Sequence, residues 1–121
     1  MDDTERLRRG EAARRRVLGN EWVDRSAKNR NAFNGEWVDN ITRSPWCDVW
    51  TRPHFDDRTR RVLVIGTMLS LGRWEEFKLH VRAALTVGGF TADTSRRSSC
   101  SRPIIAACRL EITPSGRPRR C

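Results

Sequence analysis

Four stretches of the chain repeat apolar residues with helical spacing, and the stretch after them has no period at all. Over residues 2–18, Leu7, Ala12, Ala13, Val17 and Leu18 form a thin apolar stripe among charges, and Gly19 ends it; this predicts a helix. Its Arg14-Arg15-Arg16 run reads as a solvated face. Residues 24–43 predict a second helix, with Phe33, Trp37 and Ile41 spaced i, i+4, i+8 as a core-packing stripe that Val38 widens. Residues 44–55 hold two prolines and two tryptophans, which predicts an irregular, ordered loop. Its rings either line a pocket together with an arginine or plug the core.

Asp56-Asp57 caps a third helix over residues 57–71. Val62, Leu63, Val64, Ile65, Met68, Leu69 and Leu71 make it apolar nearly all round, as a buried central helix would be, and Gly72 ends it. A fourth helix runs over residues 74–87 and closes at Gly88-Gly89. Phe90-Thr91-Ala92-Asp93 then offers the hydrophobic and capping residues that open a helix. Beyond Asp93 the chain is rich in Ser, Arg and Pro, a composition that cannot offset its own ordering entropy. The pattern predicts an all-α body over residues 1–93 and an irregular, disordered tail over 94–121.

A chain of 121 residues is one domain at most. It has no apolar run long enough to span a membrane and no secretory h-region, so a cytoplasmic location is expected. Cys47, Cys100, Cys108 and Cys121 show no metal-binding spacing and read as free thiols in a reducing compartment. The formal charge of +9 suggests a nucleic-acid partner. Its distribution argues otherwise. Residues 1–93 hold 17 Lys and Arg against 14 Asp and Glu, whereas the tail holds seven Arg against one Glu. The body is a mixed-charge surface with no basic stripe. No membrane and no specific nucleic-acid partner is expected.

The fourth helix carries the chemistry. On a helical wheel Phe77, Leu79, Val81, Ala83, Ala84, Leu85 and Val87 cover a broad apolar arc, with Glu75, Lys78, Arg82 and Thr86 opposite. Glu76 and His80 fall inside the apolar arc, four apart and therefore neighbours. A carboxylate and an imidazole in an apolar wall shift each other's pKa toward proton transfer near neutrality; as a buried pair they could instead fix helix register. His54, in the proline-rich loop, reads as a surface residue.

At this point the residues resemble a known family. Glu75-Glu76-Phe77-Lys78-Leu79-His80-Val81-Arg82-Ala83-Ala84 with Gly88-Gly89-Phe90 looks like the signature of the 4-carboxymuconolactone decarboxylases. So do Phe33-Asn34-Gly35-Glu36, Trp46-Cys47-Asp48-Val49-Trp50-Thr51-Arg52-Pro53, Thr59-Arg60, Arg16-Val17-Leu18-Gly19 and Val23-Asp24-Arg25-Ser26. In order, these cover nearly all of residues 12–93. The resemblance implies an all-α, alkylhydroperoxidase D-like helical domain that forms trimers or hexamers. It also implies cofactor-free loss of CO2 from 4-carboxymuconolactone, a lactone dicarboxylate, to give β-ketoadipate enol-lactone in protocatechuate catabolism. His80 would be the proton donor, with Glu76 orienting it. Arg52 and Arg60 would hold the substrate carboxylates, and Trp46 and Trp50 would wall the pocket. Peroxide-reducing relatives use a CxxC pair; here Arg73 and Glu76 stand in its place, so peroxidase activity is not expected.

The family continues after its Thr-Ala-Asp with a long helix carrying Tyr-Cys-Gly-Val-Pro-Ala. Restoring one base after codon 93 permits that stretch from residues 104–109, and permits Ala-Phe-Arg-Gln-Ala-Glu-Glu-Val from residues 113–121. The tail therefore reads as a frameshifted segment, and the domain as one lacking its C-terminal helix, with impaired activity and stability expected. The rival readings are an inactive truncated paralogue and a basic, Ser/Arg-tailed nucleic-acid-binding module.

Overall fold

The computed structural model describes residues 1–101 and two short segments beyond them, Glu111–Ile112 and Pro118–Arg119. The regular elements of the described chain are helices apart from those segments, which pair antiparallel with Glu111 opposite Arg119 and Ile112 opposite Pro118.

Helix α1 (Asp3–Leu18) starts where the Asp2 carboxylate accepts the Glu5 N–H at 2.8 Å. Its inward face is Gly10, Ala13, Arg14, Val17 and Leu18. Gly19, at φ 89°, turns the chain into α2 (Asn20–Lys28), a conformation that favours glycine. The helix expected over 24–43 is interrupted. Asn31 Oδ1 accepts the N–H groups of Phe33 and Asn34, and Asn34 Nδ2 donates to the Asn29 carbonyl. These side chains offer the backbone an alternative to the helix ladder, and the helix breaks there. Chain direction resets before α3 (Gly35–Ile41). The predicted core stripe is lost as a result: Phe33 is 97% exposed and Trp37 59%.

Of the residues expected to form an irregular loop, 44–49 are instead π-helical, within a segment from Thr42 to Val49, and 50–55 are irregular as expected. Pro45, which has no N–H to give, sits inside this segment, and the Trp50 N–H reaches back to the Pro45 carbonyl at 3.1 Å. The wider turn packs directly on α1. A Cβ on Gly10 would stand 2.0 Å from the Thr42 carbonyl oxygen, so glycine is what lets the two backbones touch. Trp46, Cys47 and Trp50 point into the core.

The arginine run of α1 is a solvated face only at Arg15 and Arg16, and those two are ion-paired. Arg14 is buried, Arg15 pairs with Glu11 and Asp24, and Arg16 grips Asp57 with two nitrogens, tying α1 to α2 and α4.

Helix α4 (Asp57–Ser70) is capped by Asp56, which accepts the Thr59 N–H at 2.7 Å. It is not apolar all round: Arg60 and Arg61 are buried with Ile65, Gly66 and Leu69, while Leu63 and Leu71 face out. Gly72, at φ 65°, opens the turn into α5 (Trp74–Thr86). Two apolar clusters result. Ala13, Val17, Leu18, Val23, Trp46, Trp50 and Ala83 form the larger; Ile65, Ala84 and Phe90 form the smaller.

The helix that the tail composition denied does form. Thr91 Oγ1 accepts the Thr94 N–H, and α6 runs from Ala92 to Ser101 against α4 and α5. The expectation of disorder is thus corrected over residues 94–101. Ser95 and Ser98 fill the buried positions of α6, where a matched helix would place apolar residues. Residues 102–110, 113–117, 120 and 121, and with them most of the expected frameshift, lie outside the described residues. Among the described residues no helix is long and apolar enough to cross a membrane.

Candidate active site

Helix α5 presents His80 one turn before Ala83 and Ala84, the two alanines it buries most deeply. The small alanine side chains let α5 approach its neighbours closely, and this brings the imidazole against the π segment. There it lies beside two indoles: the Trp50 ring is parallel to within 4° at 6.4 Å between centroids, and the Trp46 ring is 6.3 Å away. The two indoles stack on each other at 5.5 Å. Of the alternatives for the tryptophan-rich segment, the structure realises the plug, with His80 set against its edge.

His80 Nδ1 is enclosed and has no hydrogen-bond partner among the described residues. Burial and the nearby Arg61 guanidinium push the His80 pKa down to about 4, with Glu76 pulling weakly the other way. The imidazole is therefore neutral at pH 7. Glu76 itself is exposed, outside the apolar wall in which the wheel placed it, and makes no hydrogen bond to His80. The wheel failed here because α5 has no neighbour over that flank within the described chain. Glu76 reaches His80 through charge alone.

The two arginines expected to hold carboxylates have different places. Arg52 is exposed, and its guanidinium has no partner among the described residues. Arg60 is buried and already engaged: Nε donates to the Phe55 carbonyl at 3.2 Å and Nη2 to the Arg52 carbonyl. It clamps the turn that displays Arg52, which commits its Nε and one Nη2 hydrogen to backbone carbonyls. His54 is exposed, as the sequence suggested.

The arginine that bears on His80 is Arg61, which the sequence pattern did not single out. It is 3% exposed; Nη2 makes one long contact to the Arg16 carbonyl at 3.5 Å, and Nη1 has no partner among the described residues. A Cβ on Gly88 would stand 2.8 Å from Arg61 Nε, so that glycine makes room for the side chain. Arg61, Ile65 and Leu69 are spaced i, i+4, i+8, and that register was the available signal. Arg16 completes the group, with Nη2 3.4 Å from the Trp50 carbonyl and a double hydrogen bond to Asp57 that holds the Asp57 carboxyl below its usual range. Two arginines against one carboxylate leave a positive surplus behind Trp50 and His80.

Two clefts border this region without containing His80. One lies between α1, α2 and α3; the other lies between the start of α2 and α5, lined by Trp22, Leu79, Arg82 and Val87 among others.

Over 88 residues the chain is 39% identical to the 4-carboxymuconolactone decarboxylase of Acinetobacter baylyi, a match covering 73% of this chain and 66% of that one. The chain belongs to the 4-carboxymuconolactone decarboxylase family. A second relative, the nitrosuccinic acid decarboxylase of Metarhizium robertsii, is 34% identical over 79 residues, 65% of this chain and 55% of that one. The chain thus spans just under two thirds of the first relative's length and little more than half of the second's. No family model and no solved structure matches it. The all-helical architecture agrees with what the family resemblance implied.

Proposed function

We propose that this chain is a carboxy-lyase that removes CO2 from 4-carboxymuconolactone, with His80 as the group that delivers a proton to carbon. The observation that carries the reading is an imidazole, neutral at pH 7 and with an unpartnered nitrogen, set against two indoles in a chain similar to two decarboxylases. In the substrate, the departing carboxylate lies one double bond from the lactone carbonyl. As its C–C bond breaks, the electron pair passes through that double bond onto the carbonyl oxygen as an extended enolate. The sink is part of the substrate, so no cofactor is required. What remains for the protein is to steady the oxyanion and supply one proton to carbon.

A neutral imidazole is a poor acid. A bound dicarboxylate reverses that: its negative charge offsets Arg61 and favours imidazolium, so His80 takes up a proton as substrate binds and gives it to the enolate after CO2 leaves. Glu76 favours the same charged form. Arg52, planar and unbonded among the described residues, suits a bidentate grip on one carboxylate. Arg60 positions the turn that carries Arg52, and Trp46 and Trp50 keep water from the imidazole. The names of the two relatives both describe CO2 loss from a small acid with more than one acidic or electron-withdrawing group, which makes nitrosuccinate the natural second substrate to try.

The test is CO2 release from each compound by the full chain. Release from the lactone supports the reading, release from nitrosuccinate alone reassigns the substrate, and release from neither refutes it.

We further infer that residues 94–121 are translated out of the family's frame, with lower stability and activity in consequence. Support comes from α6, which occupies a helical position with serines buried on its inner face. Resequencing codons 85–121 tests this: a restored base after codon 93 supports it, and an in-phase relative encoding the same tail overturns it.

A further inference from the structure

The cleft between α1, α2 and α3 has a volume of about 280 Å³, small for a drug-sized ligand and suited to a small metabolite. Its apolar wall is Leu7, Val23, Ala27 and Val38. Two acids on its border are already neutralised. Asp39 accepts from both terminal nitrogens of Arg30, at 2.7 and 2.9 Å, and Glu11 pairs with Arg15 at 2.9 Å.

Arg14 is different. It lines the cleft at 7% exposure, with its guanidinium over the Trp22 ring at 5.4 Å from the centroid. One nitrogen, Nη2, donates to the Ser26 hydroxyl at 3.2 Å; Nε is enclosed with no partner, and no carboxylate among the described residues bonds to this side chain. A buried guanidinium with no carboxylate bonded to it is costly: burial pulls its pKa down, and the charge of Glu11, itself paired with Arg15, offsets this only in part. An anion entering the cleft would remove the cost, and the apolar wall would accept its body.

We propose that this cleft is a binding site for a small organic monocarboxylate, whose carboxylate pairs with Arg14 and whose short hydrocarbon part lies along Val23 and Val38. The site is separate from His80 and does not depend on the decarboxylase reading. Trp22, stacked under Arg14, would report occupancy.

The experiment titrates the full chain with butyrate and with butyramide, which share a shape and differ in charge, following the indole signal of Trp22 by NMR. Saturable binding of butyrate, at least tenfold tighter than butyramide, is expected. Arg14→Met should abolish that difference, and Arg14→Lys should retain part of it. Equal response to both probes overturns the proposal, and it does so in the unaltered protein, so an Arg14 variant that fails to fold leaves the test intact. Binding that survives Arg14→Met but is lost in Arg52→Ala also overturns it, by moving the carboxylate to the candidate active site.

Discussion

The imidazole of His80 lies parallel to the indole of Trp50, the planes 4° apart. The two residues come from segments thirty positions apart, α5 and the turn after the π segment. Their meeting depends on Gly10, which lets the π segment settle on α1, and on Ala83 and Ala84, which let α5 come close. Burial and the Arg61 charge hold this imidazole neutral at pH 7.

The first prediction concerns that neutrality. In the unliganded protein, His80 should titrate near pH 4 by NMR. Arg61→Met should move the midpoint up toward the ordinary histidine value, because the nearby positive charge is gone. Glu76→Gln should move it slightly down. A midpoint above 6 in the unaltered protein would contradict the account.

A stability consequence comes from the same shift. The folded-state pKa lies below the unfolded value, so the unfolded chain binds more protons between about pH 6.5 and pH 4. Stability therefore falls as pH drops through that window, by no more than about 3 kcal/mol from this group. Denaturant titrations at pH 7 and pH 4.5 should show the loss, and His80→Gln should remove this part of it.

Arg60 separates a structural from a substrate-holding role. Its two bonds to the Phe55 and Arg52 carbonyls predict that Arg60→Met destabilises the fold by about 1.5–3 kcal/mol, the range for hydrogen bonds from charged groups. KM in the folded fraction should rise only modestly. Arg52→Ala should do the reverse, raising KM with little change in thermal midpoint.

Ser95 offers a gain. Its hydroxyl is buried on α6 without a hydrogen-bond partner among the described residues. Ser95→Ala removes an unsatisfied polar atom at no cost in volume to its neighbours and should stabilise the chain by about 1 kcal/mol, read as a higher thermal midpoint.

Much of this was legible in the sequence where local rules act alone. The cap at Asp56, the stops at Gly19, Gly72 and Gly89, and the existence of α1, α4 and α5 arise from capping chemistry and helical period. The inward placement of His80 was legible because an imidazole in an apolar arc is conspicuous. Three things were hidden. The Asn29–Asn34 turn defeats a good i, i+4 stripe through side-chain bonds that period analysis ignores. The π segment has no periodic signature distinct from a proline-broken loop. Arg61 was masked by its neighbour Arg60, since a wheel gives the direction of a side chain and not what lies in its path. Glu76 was misplaced for the complementary reason: the wheel supplied an apolar flank that no described element covers.

The most direct test of the central claim compares the unaltered chain with His80→Gln in a single-turnover reaction with 4-carboxymuconolactone, run in D2O and followed by CO2 release and by deuterium at the product carbon. The predicted result is CO2 release by the unaltered chain with deuterium delivered to one face of that carbon, and a loss of about 10²–10⁴-fold in the variant, the usual worth of a positioned proton donor. Unchanged turnover in His80→Gln, in a protein that folds as the parent does, would contradict it.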